Sequence, residues 1–184
     1  QGRLFRFSFE LNKPGGLEHI GFGSKNDYED VVKTDSSIFI LSSNGSLIEM
    51  PLTANLFDSV PALSSYINHV KGEFESFYYD AAANALVTIC KSCAHEKNRM
   101  RTTYKFDIAT GLFSDAPFYT IDAVAVKKLL KDENAEFFPS AAAVHPLQNK
   151  LYIVSSIGKL LVIADLKGKI EKIFRIDPIL FPQP

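Results

Sequence analysis

The sequence predicts an all-β protein, a β-propeller of four-stranded antiparallel blades. Its composition favours strands, because 15 Phe and 7 Tyr occur among 184 residues. A strand–turn–strand segment recurs three times, and each copy is followed by further strand-like runs. A unit of four strands cannot cover both of its faces alone, so such units must stack on one another. Radial stacking of four-stranded sheets produces a propeller.

The three copies are residues 28–45 (YEDVVKTDSSIFILSSNG), 74–91 (FESFYYDAAANALVTICK) and 138–158 (FPSAAAVHPLQNKLYIVSSIG). Each contains two strand-like runs joined by a short polar turn, which is the spacing of a hairpin. The second halves match as well, since 104–111 (YKFDIATG) and 161–168 (LVIADLKG) both place an aspartate before a turn that contains glycine. A solenoid, a sandwich or a barrel would also hold many short strands, but the matched spacing favours blades.

The copies add up to about three and a half units, because the opening runs GRLFRFSFE and LEHIGF resemble the second half of a preceding copy. We therefore expect residues 1–184 to form one propeller domain that is part of a larger ring of about five or six blades. Either flanking sequence or a second chain would close that ring. Two insertions have helix-like apolar spacing, and we expect short helices near 57–70 and 124–135.

The charge and hydropathy of the chain limit its partners. The formal net charge is -1, which gives no basic surface for nucleic acid. No apolar run reaches the roughly 18 residues of a membrane-spanning helix, and no signal segment is visible in this chain. The two cysteines, Cys90 and Cys93, form a CxxC pair near His95. The pair could be a redox couple or half of a metal site, or one cysteine could pack in a strand and the other lie in a loop.

The stretches NDYEDVV, FESFYYD, FPSAAAVHP and the terminal IDPILFPQP resemble the SdiA-regulated family of bacterial β-propellers along nearly the whole chain. The resemblance implies a propeller that is often exported or lipid-anchored, so we expect a periplasmic or cell-surface location. The family brings no established reaction. The chain departs from the family pattern where a glycine follows each repeated Glu or Ser, because Asp30, Ser76 and Ala141 stand there.

The repeated position is occupied by Glu29, Glu75 and Ser140. In a propeller the first strand of each blade lines the central channel, so these residues should meet at one mouth of that channel. Neighbouring carboxylates repel each other unless protons or a cation neutralise them, and oxygen ligands suit Ca²⁺. We expect Glu29 and Glu75 to bind a cation such as Ca²⁺, with Asp27 as a third ligand. Alternatively, the glutamates accept backbone N–H groups from the neighbouring blade and stabilise the ring.

Lys91, Ser140 and Ser155 are predicted to line a ligand site at the same mouth. Lys91 could pair with Glu75, bind an anionic ligand, or be a solvated loop residue. Among the other polar residues, His145 is expected to support a turn, and so are three aspartates that precede turns, namely Asp80, Asp107 and Asp165.

The predicted function is that of an exported binding or interaction module for a small molecule, a cation or a protein. The alternative is a metal-dependent hydrolase of lactonase or phosphoesterase type, and a third possibility is a structural scaffold. A hydrolase would need convergent metal ligands, an open coordination position and a base. The sequence offers few matched carboxylates, so binding is favoured over catalysis.

Overall fold

The structure is a computed structural model, and it describes residues 2–7, 16–53, 56–57, 62–96 and 99–176. Nearly all of the regular structure is β. The first two strands, β1 (Gly2–Phe7) and β2 (Leu17–Phe22), pair antiparallel in a small sheet.

Three larger antiparallel sheets follow, and their strands succeed one another in chain order. The first sheet contains β3 (Tyr28–Lys33), β4 (Ser37–Ser42), β5 (Leu47–Pro51) and β6 (Ser64–Tyr66). The second contains β7 (Gly72–Asp80), β8 (Ala85–Cys93), β9 (Met100–Asp107) and β10 (Leu112–Phe113), while β11 (Thr120–Asp122) pairs with the beginning of β9. The third contains β12 (Ala141–His145), β13 (Lys150–Ser155), β14 (Leu160–Ala164) and β15 (Ile170–Arg175).

The sheets are arranged as blades, because their first strands lie side by side. Strand β7 contacts β3 on one side and β12 on the other. Between the first two blades, the Phe74 N–H donates to the Ser43 carbonyl oxygen at 2.8 Å. The predicted fold class is therefore confirmed as an all-β chain of four-stranded antiparallel blades. The described residues form no closed ring of sheets.

The hydrophobic core lies between neighbouring blades, as expected for sheets that are covered on both faces. One cluster joins the first and second blades through Phe39, Leu41, Phe74, Phe77 and Phe106, all of which are fully buried. A second cluster joins the second and third blades and includes Val87, Ile89, Ile153, Leu160 and Val162. Every residue of β4 is buried, which is typical of a strand covered on both faces.

The turn predictions are confirmed. The Asp80 carboxylate accepts the N–H groups of Ala82 and Ala83 at 3.1 and 3.2 Å. Asp107 and Asp165 accept backbone N–H groups in the same way within their own turns. His145 Nδ1 lies 3.3 Å from two N–H groups of the turn that follows it. These four side chains stabilise turns, because each satisfies backbone donors that the turn leaves unpaired.

One of the two predicted helices is present. Helix α1 covers Ala123–Leu130, and the Asp122 carboxylate caps it by accepting from Val124 and Ala125 N–H at 2.8 and 3.1 Å. All residues of this helix except the first lie within the region 124–135, where a helix is expected.

The expectation of a helix near 57–70 is wrong for the part of that range that is described. Residues Ser64–Tyr66 form strand β6 instead, and residues 58–61 lie outside the described part. The strand completes the first blade by pairing with β5, and the Tyr66 hydroxyl donates to Glu49 Oε2 at 2.6 Å. The tertiary pairing therefore overrides the local apolar spacing.

Among the described residues, no helix is long and apolar enough to span a bilayer. The terminal segment that contributes IDPILFPQP to the family resemblance lies outside the described residues, apart from Ile176.

Candidate functional site

Glu29 occupies a β-bulge at the start of the first blade. Tyr28 pairs with Ser42, whereas Asp30 already pairs with Leu41. Glu29 is therefore the extra residue of β3 and has no partner of its own on β4. A bulge changes the direction in which a side chain points, and bulges are frequent beside functional sites.

Glu75 occupies the equivalent bulge in the second blade. Phe74 pairs with Cys90, and Ser76 pairs with Ile89, so Glu75 is the extra residue of β7. The repeat predicted from the sequence thus extends to the backbone, since both glutamates are placed by the same irregularity. Because β3 lies beside β7, the two bulges belong to neighbouring first strands.

Lys91 is the cation of this region. Its ammonium group pairs with the Glu75 carboxylate and lies 3.1 Å from Glu73 Oε1. Only 14% of the Lys91 side chain is exposed, compared with 22% for Glu75. Burial lowers the pKa of Lys91, but the hydrogen bonds and negative charges of Glu75 and Glu73 outweigh burial and raise it overall. Lys91 is therefore a charged partner of the glutamates.

Of the three roles that the sequence left open for Lys91, pairing with Glu75 is confirmed, and that of a solvated loop residue is wrong. Lys91 lies within β8, which continues to Cys93. The continuation pairs with the early part of β7, where Glu73 stands opposite Ser92. This longer pairing brings the lysine beside both glutamates of β7.

Glu29 differs from Glu75 because, among the described residues, no hydrogen bond or ion pair satisfies its carboxylate. The side chain is half-buried. Desolvation by burial raises its pKa, and the negative charges of Asp27, Glu75 and Glu73 raise it further, while Lys91 acts in the opposite direction. The carboxylate of Glu29 thus lies within the electrostatic reach of three other acids.

Asp30, which follows Glu29, connects the first two blades. Its Oδ2 accepts the Phe77 N–H of β7 at 3.3 Å, and its Oδ1 accepts the Val31 N–H at 2.8 Å. Burial raises the pKa of Asp30 to about 6, although the two N–H groups act against this increase. Asp30 therefore accepts the backbone N–H of the neighbouring blade that the sequence analysis assigned, as an alternative, to the glutamates. Among the described residues, neither Glu29 nor Glu75 accepts a backbone N–H.

The two predicted serines have backbone partners. The Ser140 hydroxyl donates to the Val154 carbonyl at 3.2 Å and accepts from the Ser156 N–H at 3.1 Å. Ser155 is fully buried, and its hydroxyl accepts from Phe138 N–H at 2.9 Å. Ser140 lies just before β12, on the side of β7 away from β3. The structure thus places Ser140 beside the glutamate-bearing strands and Ser155 inside the third blade.

Sequence reasoning did not single out Glu73 as a site residue. Glu73 stands two residues before Glu75, which is the period at which strand residues share a face. This two-residue spacing is the sequence feature that could have identified Glu73 as a site residue. In the sequence, Asp30 stands out only because it replaces a glycine of the family pattern. A carboxylate at that position, next to a repeated Glu, is the feature that could have indicated its bond to the neighbouring blade.

The cysteines form a disulfide between Cys90 and Cys93. Both lie in β8 and both are buried, so the expectation of one cysteine in a loop is wrong. The sulfurs lie against the backbone of β7, where a Cβ added to Gly72 would come within 2.4 Å of Cys93 Sγ. Glycine is needed there because any larger residue would collide with the disulfide.

No protein-family model and no curated protein matches the chain. Several solved structures are similar to it. The structure of U3-55K is 11% identical with a TM-score of 0.48, and the alignment covers 83% of this chain and 40% of that one. The Chaetomium thermophilum Sqt1 structure, bound to the N-terminus of ribosomal protein L10, is 15% identical with a TM-score of 0.49, and the alignment covers 95% of this chain and 45% of that one.

A hemopexin-fold protein, CP4 from cow pea, is 11% identical with a TM-score of 0.46, and the alignment covers 83% of this chain and 71% of CP4. The chain spans less than half the length of the first two similar structures.

Proposed function

We propose that the chain is a binding module and that its ligand is a hard divalent cation such as Ca²⁺. The site is Glu29 together with the four residues whose charges act on it, Asp27, Glu73, Glu75 and Lys91, and we call it the acidic mouth. The observation that carries the proposal is the state of Glu29. Its carboxylate has three acidic neighbours, a raised pKa and no counterion among the described residues.

The charges of the acidic mouth favour a cation. One ammonium group, that of Lys91, acts on Glu29, Glu73 and Glu75, and it is already paired with Glu75 and Glu73. Carboxylates held close together repel each other, and either a proton or a cation relieves the repulsion. Burial is the largest cause of the raised pKa of Glu29, and the negative charges of Asp27, Glu75 and Glu73 add to it. A divalent cation bound at Glu29 would offset both effects at neutral pH.

The donor chemistry also fits Ca²⁺, which takes six to eight oxygen ligands from carboxylates, carbonyls and water. Glu29 and Glu75 are placed by equivalent bulges on neighbouring strands, and Asp27 precedes them on the exposed approach to β3. Together they would supply carboxylate oxygens from two blades, and water would complete the shell. Ca²⁺ would then connect the blades and stabilise their arrangement.

The test is the thermal stability of the protein with and without Ca²⁺. Ligand at 100 times its dissociation constant should stabilise the native chain by about 2.7 kcal/mol. The double variant Glu29→Gln with Glu75→Gln should lose this stabilisation, because it removes two of the ligands. Acidification should weaken Ca²⁺ binding to the native chain, since protons compete for Glu29 as the pH falls through its raised pKa.

The matched control is Glu133→Gln with Glu136→Gln, which removes two exposed carboxylates from the segment after α1. This variant should keep the full Ca²⁺ response. A native protein whose unfolding temperature does not respond to Ca²⁺, or a response that the two double variants share equally, would refute the proposed cation site.

A metal-dependent lactonase or phosphoesterase is the second candidate, and one observation favours it. Such an enzyme needs a general base beside its metal, and a carboxylate with a raised pKa suits that role. Glu29 would be the base. A screen of lactones and phosphoesters with added metal distinguishes the two proposals, because turnover that is lost in Glu29→Gln supports the enzyme and an absence of turnover supports the binding module.

The sequence resemblance supports a further proposal, that the chain is an exported member of the SdiA-regulated family. The expected location is the periplasm or the cell surface, where a protein partner could also bind. Fractionation of cells that express the natural gene should recover the protein outside the cytoplasm. Recovery in the cytoplasmic fraction would contradict the proposal.

A further inference from the structure

A second polar cluster lies at the end of β8, separate from the carboxylates of the acidic mouth. It contains the disulfide-bonded pair Cys90 and Cys93 and the carboxylate of Glu96, and one ligand atom from each lies within 4.8 Å of the others. All three residues are buried, with 0%, 5% and 3% exposure respectively. The Glu96 N–H donates to the Cys93 carbonyl at 3.0 Å, so a turn holds the carboxylate beside the sulfurs.

The Glu96 carboxylate is only half satisfied. Its Oε1 accepts the Thr102 N–H at 2.5 Å, whereas its Oε2 makes no hydrogen bond among the described residues. The nearest cation is the Arg101 guanidinium, whose Nη1 lies 3.8 Å from Oε2. That guanidinium donates instead to the backbone carbonyls of Phe137 and Met100 at 2.9 and 3.0 Å. A buried oxygen without a hydrogen bond is costly, which makes it a candidate ligand.

We propose that the reduced form of this cluster binds a thiophilic divalent cation, Zn²⁺ in particular. Cys90 Sγ, Cys93 Sγ and Glu96 Oε2 are the protein ligands, and water takes the fourth position. Formation of the site starts with a dithiol reductant, which supplies two electrons and two protons. The S–S bond breaks to give two thiols, and the reductant becomes a disulfide. The two thiols release their protons when the cation binds.

The dimensions and charges of the cluster fit this site. Zinc binds sulfur at about 2.3 Å and carboxylate oxygen at about 2.0–2.2 Å, so tetrahedral ligands lie roughly 3.5 Å apart. The three ligand atoms are already within 4.8 Å of one another. Two thiolates would neutralise the cation, while Glu96 and Arg101 neutralise each other. No net charge is therefore buried, which is the condition for ions in a protein interior.

The site differs chemically from the acidic mouth. Thiolates select soft and borderline cations such as Zn²⁺, whereas carboxylates alone suit Ca²⁺. The two sites are adjacent in sequence, because Lys91 lies between the two cysteines. The proposal does not depend on the acidic mouth and has its own test.

The test is a Co²⁺ titration of the full chain, in which thiolate ligands produce a charge-transfer band in the near ultraviolet. Protein reduced with a phosphine and freed of reductant should bind one Co²⁺ per chain with this band, and Zn²⁺ should displace the Co²⁺. The oxidised protein has the same sequence and should show no band. Glu96→Gln retains an oxygen acceptor for the Thr102 N–H and should bind Co²⁺ at least about tenfold more weakly, as expected for the loss of one ligand.

The matched control is Glu133→Gln, which removes an exposed carboxylate and should bind Co²⁺ like the native reduced chain. The variant Glu29→Gln with Glu75→Gln should also keep the band, so failure of the acidic mouth and failure of this cluster are distinguishable. A folded, reduced native chain without the band would overturn the proposal. Equal Co²⁺ affinity in Glu96→Gln and the native chain would overturn the assignment of Glu96 as a ligand.

Discussion

Asp30 gives the most quantitative prediction, because its carboxyl group connects two blades from a half-buried position. Burial raises its pKa from 3.8 to about 6. A carboxyl with a raised pKa binds its proton more tightly in the folded chain than in the unfolded chain. Stability that depends on this proton is therefore present at low pH and is lost as the pH rises from about 4 to above 6.

The size of the effect follows from the two pKa values. One pKa unit corresponds to about 1.4 kcal/mol, so a change from 3.8 to about 6 amounts to about 3 kcal/mol. Asp30→Asn removes the ionisation and keeps one oxygen acceptor for either Val31 or Phe77. The other N–H loses its acceptor, at a cost of about 1–3 kcal/mol that does not change with pH.

The assay is urea unfolding of the native chain and Asp30→Asn at several pH values between 4 and 8. The stability of the variant relative to the native chain should increase by about 2.5 kcal/mol over this range, because part of the effect is already lost at pH 4. Contributions from all other titrating groups cancel in the comparison. Stability curves that run parallel across the whole range would refute the reasoning.

Two further predictions concern buried contacts. Arg101→Met leaves Glu96 as a buried charge without a cation and should cost about 3–5 kcal/mol in urea unfolding. The added change Glu96→Gln should restore part of this loss, because the Phe137 and Met100 carbonyls lack their Arg101 donor in both variants; a loss that the second change does not reduce would contradict the pairing. Gly158→Ala places a Cβ 1.9 Å from the Glu136 carbonyl oxygen and should cost about 1–3 kcal/mol. Gly16→Ala has open space around its Cβ and is the control, so equal unfolding midpoints for the two variants would argue against the contact.

The blade architecture was predictable because whole segments repeat along the chain with similar spacing. Three hairpins with matched turns require a repeated unit, and the structure confirms that their first strands are β3, β7 and β12. The turn aspartates were predictable for a similar reason, since each acts on backbone groups within a few residues of itself. Local chemistry of this kind does not depend on the rest of the fold.

The parts that could not be predicted depend on contacts between distant segments. Strand β6 forms because β5 offers an unpaired edge, although its neighbouring residues have helical spacing. The extension of β8 to Cys93 depends on its pairing with β7, and it is this extension that places Lys91 against Glu73. No residue type in the sequence marks the bulges at Glu29 and Glu75, although these bulges position the two carboxylates.

The acidic mouth is tested most directly by crystals of the protein soaked in Tb³⁺, an anomalous scatterer that replaces Ca²⁺ at oxygen sites. We predict an anomalous difference peak within coordination distance of the Glu29 and Glu75 carboxylates, with Asp27 as a third ligand. The peak should disappear when excess Ca²⁺ competes. A fully soaked crystal with no peak between these two glutamates would contradict the proposed cation site.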